Sequence, residues 1–187
     1  KNISFGISTE NLWWGPGIHY SLVLTNNAPG FLHYTIQTNK PIHTFLGTLE
    51  AQFIGGSLQN GFLKPSENDN PYAAQWYVPK DSGERYITGM VLTLNPKWTK
   101  NLYIGLSNMA YIYQKDMNGL EDATAIGNFS KHTILKKRPA LGAVFLRYAL
   151  PQDHTEVYFE YGRNDRGATP INILYDSVAT GYVGGVR

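Results

Sequence analysis

Cysteine is absent from the 187 residues, which excludes a disulfide framework and any thiolate-ligated metal centre. Long apolar runs are absent too. None approaches the roughly 18 residues that a transmembrane helix needs, so a helical membrane protein is excluded, whereas a barrel of short alternating strands is not. The chain starts without an initiator Met, and no signal-peptide apolar segment is present. Charge is scarce: 16% of residues are Asp, Glu, Lys or Arg, against roughly 25% in an ordinary soluble domain. The net charge of +2 is too small for a nucleic-acid surface.

Enzymatic signatures are missing as well. His19, His33, His43, His132 and His154 are scattered without metal-site spacing, and there is no phosphate-binding loop, dinucleotide fingerprint or serine elbow. These patterns call for neither a metal nor a cofactor. Glu156 and Glu160 share one face of a predicted strand and imitate a glycosidase pair. Four residues along a strand separate Cα atoms by about 13 Å, beyond the roughly 5 to 9.5 Å between carboxyl groups that such enzymes use. Both are read as lumen-lining residues, and the chain as a non-enzyme.

What the chain does have is aromatic residues (13%), 13 Tyr and 19 Gly. This composition suits either a membrane wall with interfacial Tyr and Trp or a soluble β-sandwich. Side-chain alternation is clearest in 141 to 150 and the arm after Pro151-Gln152-Asp153-His154. Pairing Leu146 with Phe159 sets Val144 against Tyr161 and Tyr148 against Val157, one continuous apolar face. Arg147, Tyr158 and Glu160 then share the other, lumen-facing side. A one-residue slip would turn Arg147 against the apolar face. A second hairpin, 85 to 94 with 101 to 114, is expected to pair Leu92 with Ile104 and Met90 with Leu106.

Link lengths decide between wall and sandwich. Short links near 39 to 43, 95 to 100 and 151 to 154 alternate with long polar ones at 59 to 84 and 115 to 140, as in outer-membrane barrels with short periplasmic turns and long external loops. Further strands are predicted near 3 to 9, 18 to 25, 31 to 38, 44 to 58 and 178 to 186, about nine in all. The fold class is therefore all-β, an antiparallel transmembrane outer-membrane β-barrel. Bacterial single-chain barrels have even strand numbers, so residues 1–187 are expected to form a single barrel domain that is part of a longer barrel.

The most distinctive motif is Asn11-Leu12-Trp13-Trp14-Gly15-Pro16-Gly17, followed by Ser21-Leu22-Val23-Leu24-Thr25-Asn26-Asn27-Ala28-Pro29. With Asn101-Leu102-Tyr103-Ile104-Gly105-Leu106-Ser107 and Val157-Tyr158-Phe159-Glu160-Tyr161-Gly162-Arg163-Asn164-Asp165, it resembles the capsule assembly Wzi family. The resemblance implies an integral outer-membrane barrel of Gram-negative bacteria, of roughly eighteen strands, that acts as a lectin for capsular polysaccharide. It implies helical elements on the periplasmic side, for which these residues carry no pattern. Its partners would be surface polysaccharide, membrane lipid and lipopolysaccharide. The competing functions are an accessory subunit of a larger outer-membrane complex and a diffusion channel.

Two readings attach to Trp13 and Trp14. An indole face can stack on a sugar ring, or the pair can wedge a turn into the wall or lumen beside glycines that permit close approach; the structural reading is preferred. Asn26 and Asn27 read as turn formers. The candidate glycan contacts are Asn68, Asp69, Tyr72, Gln75, Trp76 and Tyr77 in the first long link, which mix aromatic platforms with amide and carboxylate groups. The basic run Lys131, His132, Lys136, Lys137 and Arg138 in the second could attract acidic polysaccharide or lipopolysaccharide phosphate. Link lengths predict that an impermeant thiol reagent on intact cells labels a cysteine at Asp69 and spares one at Asp153; the reverse pattern would invert the topology.

Overall fold

The computed structural model describes residues 2–59, 83–117, 119–123, 140–164 and 179–187. Among the described residues nine strands form one antiparallel sheet: β1 (Ile3–Ser8), β2 (His33–Thr38), β3 (Ile42–His43), β4 (Gly47–Leu58), β5 (Arg85–Pro96), β6 (Leu102–Tyr113), β7 (Ala140–Leu150), β8 (Thr155–Asn164) and β9 (Thr180–Val186). The order is β1-β2-β4-β5-β6-β7-β8-β9, with β3 beside the start of β4. Among the described residues the sheet is not closed, and β1 and β9 lie at its edges. β4, β5 and β6 each run for 12 residues, more than the roughly 9 to 11 that a tilted strand needs to cross a bilayer. No helix among the described residues is long and apolar enough to cross one.

Alternation gives the sheet two unlike faces. On the outer one, Ile3, Phe5, Ile7, Val144, Leu146, Val157, Phe159, Tyr182 and Val186 are between 45% and 72% exposed. Tyr182 packs against Phe159 and Tyr161 across the strand pair, with ring centroids 6.3 and 5.1 Å away. An apolar surface this continuous would be an association hazard in water. Facing lipid, it is the wall's solvent contact.

The opposite face is concave, which follows from one short loop segment. Trp14 hydrogen-bonds Gln52 on β4, while the nearby Leu22 amide reaches Glu160 on β8. These strands are four neighbours apart, about 19 Å across a flat sheet. The Trp14–Leu24 bridge brings the two arms of the loop together, so the sheet must curl around them. A core of Trp14, Val23, Ile54 and Ala143 forms there, flanked by Leu12, Leu22, Leu24, Phe31, Val91 and Met109.

The β7–β8 register pairs Leu146 with Phe159, Val144 with Tyr161 and Tyr148 with Val157, as alternation predicts. The β5–β6 register differs from expectation by two residues: Leu92 pairs with Leu106, Leu94 with Ile104 and Met90 with Asn108. β5 continues through Pro96, and the turn closes on Asn101, whose φ of 67° is a left-handed conformation that Asn tolerates. An even shift leaves every side chain on its expected face.

Residues 18 to 25 are not a strand, a second correction. Among the described residues their only ladder contact is the isolated bridge between Leu24 and Trp14. The apolar positions there pack against the inside of the wall, and alternation alone does not distinguish that from strand pairing. The link at 39 to 43 also differs from a simple turn. Four residues separate Gln37 from Ile42 where two separate their partners Gln52 and Leu49. Pro41 lies in this bulge, where it has no amide to give to the ladder.

The lipid-facing assignment predicts that Phe159→Arg, which costs about 2 to 4 kcal/mol near the bilayer midplane, strongly reduces heat-modifiable folded barrel on gels. Asn164→Arg, on the inner face at the end of β8, should leave the yield near wild type. Equal yields for the two variants would contradict the face assignment.

Candidate functional site

The inward loop between β1 and β2 is built around Trp14, only 2% exposed. Its indole Nε1 donates to Gln52 Oε1 at 2.7 Å. The ring lies so close to β5 that a Cβ at Gly89 would stand 2.7 Å from it. Trp13 closes the turn, donating from Nε1 to the Gly17 carbonyl at 3.0 Å. Gly15, with φ +141°, occupies a conformation that L side chains rarely adopt. A Cβ there would also sit 2.8 Å from Glu160 Oε2.

Glu160 is fully buried beneath this loop. The Leu22 amide donates to its Oε1 at 3.2 Å, and Ser21 Oγ lies 3.4 Å from the same oxygen. Ser21 also donates to the Trp14 carbonyl. A buried carboxylate needs such donors, because desolvation without them is expensive. The carboxylate thereby ties the Ser21–Leu22 arm of the loop to β8, and Ser21 links that arm to Trp14. Leu22 fills the space over Gly162 and Gly181, where a Cβ would lie 2.9 and 3.1 Å from its side chain.

Toward the short-turn end, the inner face opens into a cavity of about 650 Å³ lined by Trp13, Gln37, Glu50, Gln52, Tyr103, Arg147, Glu156 and Arg187 among others. Arg147 donates from Nε and Nη2 to Glu156 Oε2 at 2.9 and 2.6 Å. Its guanidinium carbon lies 5.6 Å from the Tyr103 ring centroid. Arg187 reaches Glu156 Oε1 at 3.4 Å. This charge-assisted cluster orients the carboxylate on both oxygens.

Arg147 and Glu160 thus occupy the same face as the sequence suggests, but they are not partners. Glu156 takes Arg147, and Glu160 stands opposite Phe145. Tyr158 is on that face too, its ring lying over Gly185. The two glutamates have different duties: one holds arginines, the other holds the loop. Trp13, Trp14, Gly15, Pro16 and Gly17 border the cavity together, whereas Asn26 and Asn27 sit in an exposed turn. Asn68, Asp69, Tyr72, Gln75, Trp76 and Tyr77 lie outside the described residues, as does the basic run from Lys131 to Arg138. Sequence reasoning missed Gln52, Gly89 and Ser21. The signal for Gly89 was a side chain missing at an inward position of an otherwise bulky strand.

A two-faced antiparallel wall, apolar outside and carrying an inward-folded loop inside, defines an outer-membrane β-barrel protein. The particular family follows from the whole sequence. The profile described as Capsule assembly protein Wzi matches residues 1–187, and the chain belongs to that family. Comparison with curated proteins and with solved structures gave no match. Family membership places the chain in the outer membrane and connects it with capsule assembly.

Trp14→Ala should destabilise the wall by about 3 to 5 kcal/mol, the usual cost of emptying a buried aromatic site. Trp13→Ala, at a partly exposed position, should cost clearly less. Thermal unfolding in detergent, followed by gel mobility, checks the order; equal losses would contradict the anchoring role of Trp14.

Proposed function

We propose that this chain binds or organises capsular polysaccharide at the cell surface and performs no chemistry on it. The observation that carries the reading is the family match over all 187 residues. The capsule is a glycan, and a protein of its assembly at the outer membrane needs a surface that holds glycan. The long links at 59 to 84 and 115 to 140 leave one end of the sheet, and the turns at 44 to 46, 97 to 101 and 151 to 154 close the other. In outer-membrane barrels the long-link end faces outward, where exported polysaccharide would be met.

Within the first long link, Trp76 and Tyr77 supply stacking surfaces, and Asn68, Asp69, Tyr72 and Gln75 supply hydrogen-bonding groups suited to sugar hydroxyls. The outer face of the sheet is left to membrane lipid and the lipid portion of lipopolysaccharide. Replacing Trp76 and Tyr77 together with Ala should release polysaccharide into the medium while heat-modifiable barrel stays at wild-type level. Full retention by the double variant would reject this link as the binding site. Unaltered retention in a deletion strain would reject the polysaccharide function and put the accessory-subunit reading in its place.

A further inference from the structure

Arg85 opens β5 on the inner face, at the end of the sheet from which the long links depart. Directly across the ladder stands Tyr113, and Tyr111 is the diagonal neighbour on the same face. The guanidinium carbon lies 5.5 Å from the Tyr113 ring centroid and 5.6 Å from that of Tyr111. Lys115 Nζ approaches the Tyr113 ring as well, at 5.3 Å. Two cations from adjacent parts of the chain therefore converge on one aromatic ring.

The contrast with Arg147 is informative. Both arginines face inward and both lie over tyrosine rings. Arg147, however, is neutralised by a two-point contact with Glu156. Among the described residues Arg85 has no carboxylate partner, and its Nε is buried without an acceptor. A buried N–H left unbonded is costly, and a planar guanidinium fork matches carboxylate or phosphate oxygens. The arrangement around Arg85 is thus that of Arg147 with the acid still to be supplied.

We propose that Arg85, Tyr111 and Tyr113 form a subsite for an acidic sugar unit, one bearing a carboxylate or phosphate. The guanidinium takes the anionic group, and the tyrosine faces flank the apolar side of the ring. A membrane-lipid phosphate is the wrong source, because the outer face at this level belongs to Tyr86 and not to Arg85. The subsite follows directly in sequence from the link that carries Trp76 and Tyr77. This inference rests on the capsular-polysaccharide reading and narrows it to a charged glycan at the inner rim.

The test uses the whole protein in detergent micelles, with polygalacturonate oligomers as the acidic probe and dextran as the neutral one. Calorimetry should show salt-sensitive binding of polygalacturonate and much weaker binding of dextran. Arg85→Gln should weaken the former at least tenfold, and Arg85→Lys should fall between the two. Unchanged affinity in folded Arg85→Gln, no polygalacturonate binding by wild type, or equal binding of dextran would each overturn the proposal. Should Arg85→Gln fail to assemble, phenylglyoxal modification of wild-type Arg85 is read by peptide mass. Saturating polygalacturonate should slow it several-fold, and no protection counts against the subsite. In cells the two ideas separate: capsule lost by a deletion strain but fully kept by assembled Arg85→Gln rejects the subsite alone, whereas capsule kept by the deletion strain rejects the broader reading.

Discussion

Everything in this wall depends on a strand crossing lipid with its backbone bonded to neighbours and its side chains alternating between two solvents. Hydrocarbon offers no partner for an amide or carbonyl, so each spanning strand must be paired along its length. The same geometry sends successive side chains to opposite faces. Phe159 and Glu160 are adjacent in sequence, yet one faces outward and the other is buried beneath the inward loop. That division explains how few charges are needed and why Arg147, Glu156 and Glu160 lie inward, while Arg163, on the outer face, stands only near the end of β8.

Alternation alone would leave the concave face lined by isolated polar groups around open space. The loop between β1 and β2 changes this by bringing Trp14, Val23 and their neighbours into the lumen. Close approach requires glycine where the loop touches the wall, as under Trp14 at Gly89. Glu160 fixes the arrangement by accepting from the loop backbone. The tryptophan motif is therefore an internal packing device at Trp14, while Trp13 borders the adjacent cavity. Such a support braces the wall from within, through contacts that involve neither long link.

Much of this was legible because a charge in lipid is expensive. Arg147 alone sets the face of β7, and the β7–β8 register follows from matching apolar positions across Pro151–Asp153. The β5–β6 register differs by two from the expected one because β5 runs on through Pro96 and Asn101 takes the left-handed position that closes the turn. Parity was kept, so the face assignments were unaffected. Residues 18 to 25 misled because an apolar loop lining a barrel and an apolar strand within its wall show the same local pattern. The partnership of Arg147 with Glu156 was hidden for a related reason: both glutamates share a face, and only the position of the loop determines which is left for the arginine. Arg85 carried no signal, since its significance is the missing acid rather than a motif.

The most direct measurement of the two-solvent wall is a nitroxide scan along β7 from Ala143 to Tyr148 in lipid bilayers, reading accessibility to oxygen and to a water-soluble nickel chelate. Labels at Val144, Leu146 and Tyr148 should be oxygen-accessible and shielded from the chelate, while those at Ala143, Phe145 and Arg147 should show low oxygen accessibility, a period of two residues. High oxygen accessibility at Phe145 and Arg147 with the pattern reversed, or no alternation at all, would contradict the account.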